Sequence, residues 1–266
     1  MNRPSLNKKS SRAAAIAILL AICAMQAKAD DGNYKDEWSG IVGAGVGVIP
    51  EYVGSDHTKS ELQPLLKITY GRFFAGGIAG LGVGYNAFEL GDVAFGAFLT
   101  HALDAPRDES DDPRLRGLGN VDATSRAALF AQYKHDWMRV AANVSWDVGG
   151  DKEGMLAKLT ADAVFHPASK LELFVGPQLT YGNTQYEQTL FGVNASQSSQ
   201  SGLPIYTPKS GLSQAALEFG ANYALSKSWV LSTRAAVGRL EGDSGNSPIV
   251  EKKAQDTYDI YLAYKF

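Results

Sequence analysis

The sequence predicts an all-β protein, a transmembrane antiparallel β-barrel of about twelve strands. Three observations lead to this prediction: apolar and polar residues alternate along most of the chain, many alternating segments reach about ten residues, and the long connections follow odd-numbered strands. A strand that crosses a bilayer takes about 9–11 residues and alternates lipid-facing with lumen-facing side chains. We therefore expect both chain ends on the periplasmic side and long loops on the extracellular side.

Residues 1–29 have the three zones of a secretory signal peptide. A basic start precedes the apolar run Ala13–Ala24, and a small-x-small pattern ends at Ala29, so we predict cleavage between Ala29 and Asp30. The one cysteine, Cys23, lies in this segment, so no disulfide is expected. Cleavage also removes five basic residues and no acidic one, which changes the formal net charge from −3 to −8. Such an acidic chain is a poor match for nucleic acid.

The predicted organisation is a short periplasmic tail at residues 30–37, followed by a barrel at residues 38–266. Candidate strands lie near 38–49, 61–70, 72–79, 80–87, 91–103, 123–134, 137–149, 154–166, 171–183, 211–225, 228–239 and 253–266. The third and fourth are short and glycine-rich, which leaves a barrel of ten strands open as an alternative. Pro64 and Pro177 fall inside candidate strands, where the missing N–H predicts a bulge or a strand end.

A soluble β-sandwich would also show alternation, since one face of each of its sheets is buried. Several candidate strands are about twice as long as the five or six residues that are usual in strands. Aromatic residues such as Trp137, Tyr181 and Trp229 also gather at strand ends, as they do at the two interfaces of a membrane barrel. The barrel is therefore favoured over the sandwich.

Charged residues of both signs fall on the predicted inner face of the strands. They are Arg126, Lys134, Arg139, Asp147, Lys158, Asp162, Glu172, Glu218, Arg234 and Asp259. Buried charges are tolerated when they are paired or hydrated. The lumen is therefore expected to be either a salt-bridged plug or a narrow water-lined passage, and the sequence leaves both open.

The last predicted strand ends on an aromatic residue. Its lipid-facing positions are Tyr258, Ile260, Leu262, Tyr264 and Phe266, and Asp259 and Lys265 are expected to face the lumen or the rim. Because an unpaired strand edge is costly in a bilayer, we expect this strand to pair with the first one. A free C-terminal strand of this pattern also resembles the signal that the barrel-assembly machinery recognises.

The residue pattern predicts neither catalysis nor a cofactor or metal site. The hydrolase motifs Gly-x-Ser-x-Gly and His-Glu-x-x-His do not occur in the sequence. The histidines lack the short spacing of metal ligands. They are His57, His101, His135 and His166, and a solvated surface position is expected for His57, His135 and His166.

Two glycine triplets and one acidic run also have simple structural interpretations. Gly43-x-Gly45-x-Gly47 and Gly80-x-Gly82-x-Gly84 precede neither a helix nor a Lys-Ser/Thr pair, so they do not indicate a phosphate loop. We predict that these glycines face inward and leave room in a crowded lumen. The acidic run at 108–112 lacks the spacing of a calcium loop and is expected to be solvated.

Loop motifs recur in an order that resembles the MipA/OmpV family of outer-membrane proteins. Besides Phe191-Gly192-Val193, the matching positions are Pro50, Tyr52, Gly54 and Ser55 after the first strand, Gly117 and Gly119 before the sixth, and Tyr206, Arg239, Ser247 and Pro248 near the last two long loops. Residues of these types fix turns. We expect Tyr52, Tyr206 and Arg239 to fold the loops over the barrel mouth.

The resemblance implies a barrel of the bacterial outer membrane without catalytic residues or a cofactor, surrounded by outer-membrane lipids and lipopolysaccharide. It also implies a scaffold that brings a lytic transglycosylase and a bifunctional penicillin-binding protein together in peptidoglycan synthesis. Two alternatives stay open. The two-signed lumen suits a channel for small solutes, and the long exterior loops suit a surface adhesin.

Overall fold

The structure is a computed structural model, and it describes residues 34, 36–76, 82–102, 106–150 and 153–266. The predicted signal peptide, its cleavage site between Ala29 and Asp30, and most of the predicted tail at 30–37 lie outside these residues. Gly80 of the second glycine triplet lies outside them as well.

The described residues form twelve antiparallel strands that close into one barrel. The strands are β1 (Trp38–Pro50), β2 (Thr58–Tyr70), β3 (Phe73–Gly76), β4 (Gly82–Leu90), β5 (Val93–Ala102), β6 (Thr124–His135), β7 (Met138–Asp147), β8 (Met155–Ala168), β9 (Leu171–Gly182), β10 (Gly211–Ala224), β11 (Trp229–Leu240) and β12 (Thr257–Lys265). The prediction of twelve strands is confirmed. The alternative of ten is wrong, because the short strands β3 and β4 both pair within the barrel.

The end of the chain closes the barrel, as predicted. β12 runs antiparallel to β1, with Tyr264 opposite Val42. Phe266 follows the strand and exchanges two backbone hydrogen bonds of 3.1 Å with Gly40. The seam therefore has a continuous ladder, which a bilayer requires because lipid tails offer no hydrogen bonds.

β12 begins at residue 257, later than the predicted start at 253. The residues before it bind the end of β11 and the 51–57 loop. Lys253 O accepts a 2.8 Å hydrogen bond from Leu240 N, and Gln255 Oε1 accepts a 2.8 Å bond from Gly54 N. Residues 253–255 therefore lie along the end of β11 and contact the 51–57 loop before β12 begins.

The connections differ in length between the two ends of the barrel. Short turns lie at 71–72, 91–92, 136–137, 169–170 and 225–228, at the end that we assign to the periplasm. Longer loops lie at the extracellular end, at 51–57, 103–123, 148–154, 183–210 and 241–256, although 103–105 and 151–152 are outside the described residues. The predicted segregation of turns and loops is confirmed.

Pro64 and Pro177 lie within continuous strands, so the predicted bulge or strand end at each is wrong. Pro64 lies opposite Ala44 in an unshifted ladder between β1 and β2. Pro177 lies in register with β10, and on its other side the ladder with β8 is interrupted between Gln178 and Val175. That interruption accommodates the missing N–H of Pro177.

Large apolar side chains cover the outside of the barrel at every second strand position. Leu129, Leu159, Leu173, Leu217, Phe219, Val237 and the β12 residues Tyr258, Ile260, Leu262 and Tyr264 are all exposed in the isolated chain. In a bilayer this surface contacts lipid, which is favourable because apolar area leaves water.

An aromatic cluster fills one side of the lumen. Phe74, Phe98 and Phe130 are buried and pack with Ala128. The rings of Phe74 and Phe130 lie 5.8 Å apart although β3 and β6 are not adjacent, so both side chains must point inward. The polar inner face that the sequence predicts is therefore interrupted between β3 and β6.

The helices all lie in the long loops. They are α1 (Thr184–Phe191), α2 (Ala195–Ser201) and α3 (Gly242–Gly245), with a 3-10 turn at Pro113–Leu115. Asn183 starts α1 by accepting a 2.9 Å hydrogen bond from Tyr186 N, and Asn194 and Gln197 form a capping box on α2. None of the helices in the described part of the chain is long and apolar enough to span a membrane.

Candidate functional site

Four extracellular loops pack on one another, and we call residues 51–57, 106–123, 183–210 and 241–256 the cap. Two buried apolar clusters hold it together. One contains Val121, Leu156, Tyr186, Leu190, Phe191 and Leu240, and the other contains Tyr52, Leu115, Leu118, Val193 and Ile249. Since these loops leave from strands distributed around the barrel, their mutual packing covers its mouth.

Tyr52 is the central anchor of the cap. Its side chain is buried, and its hydroxyl donates to Ile249 O at 3.3 Å and to Glu251 Oε2 at 3.2 Å. Burial, together with the nearby Glu251, raises the pKa of Tyr52 above its usual value. Gly54 and Ser55 complete a tight turn beside it, in which Ser55 N donates to Tyr52 O at 3.0 Å and Gly54 adopts a φ of 104°. This φ lies in the region that glycine adopts without strain.

Three further motif residues join the other loops. Tyr206 donates to Asp243 O at 2.8 Å, and Ser247 Oγ donates to Phe191 O at 2.6 Å. Pro248 O accepts two bonds from the guanidinium of Arg114, at 3.0 and 2.6 Å. These contacts each join residues from different loops of the cap.

The remaining motif positions have different environments. Gly117 packs against Gln200 of α2, and Gly119 N donates to Glu109 Oε1 at 2.5 Å. Pro50 ends β1. Arg239 lies near the end of β11, and its guanidinium is exposed, 3.9 Å from a carboxylate oxygen of Glu241. Tyr52 and Tyr206 therefore connect loops of the cap through their hydroxyl groups, whereas the Arg239 guanidinium is exposed.

A buried carboxyl group links the helices of the cap to the barrel. Glu187 on α1 is only 1% exposed, and its Oε2 accepts a 2.5 Å hydrogen bond from Ser244 Oγ on α3. Ser244 Oγ also lies 3.1 Å from Ser213 Oγ on β10. Burial raises the pKa of Glu187 above its usual value.

Predicted inward charges meet around Phe174 in the lumen. Arg139 donates to Glu172 Oε1 at 2.9 Å and lies 3.7 Å from Asp162 Oδ2. The guanidinium carbon of Arg139 lies 5.0 Å from the centre of the Phe174 ring, and that of Arg234 lies 5.7 Å from the same point. Cations near an aromatic face gain quadrupole attraction, so the ring stabilises both guanidinium groups.

Polar neighbours extend this network across five strands. Arg234 lies 3.6 Å from Glu218 Oε1 and opposite Asp259 in the β11–β12 ladder. Gln178 donates to Glu218 Oε2 at 3.1 Å, and Asn222 donates to Glu172 Oε1 at 3.0 Å. The carboxylates are thus paired and hydrogen-bonded, as low-dielectric surroundings require.

Three other predicted lumen residues lie apart from this network. Arg126 is 1% exposed near the extracellular end, where it lies 3.3 Å from Glu153 Oε2. Asp147 accepts 2.7 Å and 2.8 Å hydrogen bonds from Thr124 Oγ1 and from Gly149 N, so it organises the loop after β7. Lys158 lies on β8, opposite Asn143 of β7.

His57 meets carboxylates of the cap, which its position in the sequence does not indicate. Its Nδ1 lies 2.9 Å from Asp56 Oδ1 and 4.0 Å from Asp112 Oδ2. Glu51, His57 and Asp112 each place one possible metal-ligand atom within 4.8 Å of the others. The side chain of His57 is 67% exposed, and exposed pairs of this kind contribute about 0–1 kcal/mol.

A comparison with known protein families identifies the family of this barrel. The family model of the MltA-interacting protein MipA matches residues 42–266, which include eleven complete strands and all but the first four residues of β1. The chain belongs to the MipA family. The match includes the whole cap and every lumen charge described above.

Relatives of this MipA-family barrel include the MltA-interacting proteins of Escherichia coli strain K12 and of Shigella flexneri. Each is 25% identical over 255 residues, which is 95% of this chain and 97% of the relative. The family and the closed apolar-surfaced barrel together identify an outer-membrane protein.

Two solved structures illustrate what the barrel is similar to. An outer-membrane channel from Pseudomonas putida F1 is 14% identical, covers 90% of this chain and 100% of its own, and has a TM-score of 0.48. The porin NanC is 10% identical, covers 85% of this chain and 100% of its own, and has a TM-score of 0.42.

The sequence analysis of this MipA-family barrel missed two kinds of residue. Strand parity alone would have placed Phe130 and Phe174 inside, because they share a face with Arg126 and Glu172, respectively. Glu187, in contrast, lies in a loop helix where no strand pattern applies. Only the packing of distant loops shows that it is buried.

Proposed function

We propose that this chain is a non-enzymatic scaffold of the outer membrane that binds a lytic transglycosylase on its periplasmic side. The proposal draws on the relatives, which are named MltA-interacting proteins and align over nearly the full length of both chains. It extends to a penicillin-binding protein as a second partner, which would bring cleavage and synthesis of peptidoglycan to one place.

The observation that carries the proposal is that side chains fill much of the lumen and loops cover its extracellular mouth. Aromatic rings fill the lumen between β3 and β6, a salt-bridged network spans β7 to β11, and the cap covers the extracellular mouth. A barrel that is filled in this way supports binding at its rims better than the passage of large solutes.

The periplasmic rim offers an ordered surface despite its short turns. Tyr34, at the start of the described chain, donates to Glu89 Oε1 at 2.8 Å, and the Arg72 guanidinium lies 4.6 Å from the centre of its ring. Burial and the neighbouring Glu89 raise the pKa of Tyr34. Tyr34 is thereby held beside the 71–72 turn, and with the turns it forms the binding surface in this proposal.

A binding experiment with the mature protein in detergent tests the scaffold. The immobilised barrel is expected to retain a purified MltA-type lytic transglycosylase, and reversal of the exposed turn charges by Lys170→Glu with Lys227→Glu is expected to weaken retention. Lys209→Glu makes the same change on the cap and is the matched control. If the wild-type barrel retains neither the transglycosylase nor a bifunctional penicillin-binding protein, the scaffold function is excluded.

One observation favours a second candidate, a narrow channel for small solutes. The side chain of Arg234 is 57% exposed although it lies in the lumen, so water reaches the central network. Planar-bilayer recording distinguishes the two functions. If the protein is a channel, it should conduct ions, and Arg234→Gln, which removes one positive charge from the lumen, should change the conductance. If it is a scaffold with a closed cap, no conductance is expected.

A further inference from the structure

We propose that a cleft on the side of the cap binds an acidic saccharide, that is, a sugar that carries a phosphate or a carboxylate. This site lies at the extracellular end and does not depend on the periplasmic scaffold. The cleft has a volume of about 800 Å³ and lies between the 106–121 segment and the start of α1 and α2. That volume is within the range of about 300–1,000 Å³ that is usual for small-molecule sites.

Arg107 is the charged group of the cleft. The residue is 6% exposed, its Nη1 donates to Leu190 O at 2.5 Å, and its buried Nε has no hydrogen-bond partner. Among the described residues no carboxylate forms an ion pair with it. Burial lowers the pKa of Arg107 to about 10, so the guanidinium still carries its charge at neutral pH. A buried charge without a counter-ion is costly, and a bound anion would remove that cost.

The backbone holds Arg107 in a fixed position. Arg107 N donates to Val121 O at 3.0 Å, and Val121 N donates back to Arg107 O at 2.9 Å. The acidic residues that follow are engaged elsewhere, because Asp108 accepts from Ser110 N at 2.9 Å and Glu109 accepts from Gly119 N at 2.5 Å. The guanidinium is therefore not neutralised by its own loop.

The rest of the cleft is uncharged, and amide and hydroxyl groups lie in it beside the apolar residues Leu118 and Val121. Its lining includes Asn120, Thr184, Gln185, Gln188, Asn194 and Ser210, and no aspartate or glutamate is part of it. Amide and hydroxyl groups of this kind donate to and accept from sugar hydroxyls. Thr184 and Gln185 also belong to the first turn of α1, where free N–H groups and the helix dipole favour an anion.

Tyr181 shows where the cleft lies relative to the membrane. It lines the cleft near the extracellular end of β9 and has the same strand parity as the lipid-facing residues Leu173 and Leu179. The cleft thus opens close to the level of the outer-leaflet head groups. A guanidinium group pairs bidentately with phosphate or carboxylate. Arg107 therefore suits the acidic group of the ligand, and the amide side chains suit the hydroxyl groups of its sugar.

Titration calorimetry on the folded mature protein in detergent tests the site. The probes are glucose 1-phosphate, glucuronate, neutral glucose and inorganic phosphate. We expect the two acidic sugars to bind about tenfold or more tightly than either glucose or inorganic phosphate, which is the effect of one charge-assisted pair combined with the sugar contacts. Equal binding of glucose and glucose 1-phosphate, or no binding of the acidic sugars, would overturn the proposal.

Substitutions separate the site from the stability of the cap. Arg107→Gln is expected to abolish the preference for acidic sugars, but a buried change can also loosen the cap. Thr184→Glu avoids this problem, since the residue is exposed and an acid is favourable at a helix start, and it should repel the ligand. Thr207→Glu makes the same change on the cap outside the cleft. Equal binding by these two threonine variants would contradict the site.

The source of the saccharide is tested with nanodiscs. If the ligand is a lipid head group, discs that contain lipopolysaccharide should compete with glucose 1-phosphate, whereas phospholipid discs should not. If the ligand is a soluble saccharide, both discs should give the same affinity. Either result supports an acidic-saccharide site and assigns its source.

Discussion

Arg139 donates to Glu172 across an intervening strand, at 2.9 Å, in the lumen near its periplasmic end. The two residues belong to β7 and β9, so their contact is made on the concave side of the sheet. Each has further partners, and the pair is therefore the centre of a network rather than an isolated ion pair.

Arg139→Met should destabilise the barrel, because it leaves Asp162 and Glu172 without their main cation. These side chains are partly solvated, so we expect a loss of about 1–3 kcal/mol, less than for a fully buried pair. The midpoint of heat-dependent gel migration, folded against unfolded, measures the effect. Lys170→Met on an exposed turn is the control, and an equal midpoint for both variants would show that the network contributes nothing.

Glu187→Gln should stabilise the cap at neutral pH and reduce its pH dependence. Because burial raises the pKa of Glu187, the folded state holds this proton more tightly than the unfolded state does. The stabilising contribution is therefore complete below the unfolded pKa and is lost as the pH rises through the folded pKa. We expect a gain of about 1 kcal/mol, typical of one buried polar group.

Hydrogen exchange in α1 at pH 5 and pH 8 measures this change. Wild-type α1 should exchange faster at pH 8 after correction for the intrinsic rate, and Glu187→Gln should remove the difference. Glu37→Gln, at an exposed position near the periplasmic rim, is the matched control. Greater protection of the wild-type helix at pH 8 would reverse the sign and refute the argument.

Tyr52→Phe should weaken the cap by about 1 kcal/mol, because it deletes only the two long hydrogen bonds of the hydroxyl. Tyr52→Ala should cost about 3–5 kcal/mol, since it also leaves a cavity among buried residues. Limited proteolysis of the loops measures both changes. A phenylalanine variant as labile as the alanine variant would mean that the hydroxyl, rather than the packing of the ring, anchors the cap.

The barrel could be predicted from the sequence because period-two alternation reports on each strand by itself. The closing pair of β1 and β12 followed from the need to leave no edge in lipid, and the structure confirms it. The prolines were misjudged for a related reason. Whether a missing N–H interrupts a strand depends on the ladder of its neighbour, as the gap beside Pro177 shows, and a single strand does not contain that information.

The cap could be predicted only in part. Tyr52 was expected to fold a loop over the barrel mouth, but its partner Ile249 is 197 residues away in the chain, and loop residues carry no periodic signal. Arg107 and Glu187 are charged residues in loops, where solvation is the usual expectation. Their burial results from the joint packing of several loops, so it becomes visible only in three dimensions.

Gly45→Leu should prevent closure of the barrel. A Cβ atom at Gly45 would overlap the ring of Tyr261 and the carbonyl oxygen of Ile260, and the backbone cannot move without breaking the β1–β12 ladder. We expect little or no folded form on a gel run without boiling. Val46→Leu adds volume at the next position, which faces lipid, and should fold normally. A folded Gly45→Leu barrel would contradict the crowded inward position that the sequence predicts for this glycine.

Deletion of Phe266 should impair assembly in the outer membrane. Its backbone N–H and C=O both bond to Gly40, so the deletion removes the last two hydrogen bonds of the seam as well as the terminal aromatic ring. Phe266→Tyr keeps the bonds and the ring and is the control. Quantitative immunoblotting of outer-membrane fractions should show the deletion variant at a small fraction of the wild-type level. The tyrosine variant should be close to the wild-type level. If both variants reach the wild-type level, neither the ring nor the final pair of bonds is needed, and the seam must be held by the eight residue pairs between Ile41 and Val48 and their partners in β12.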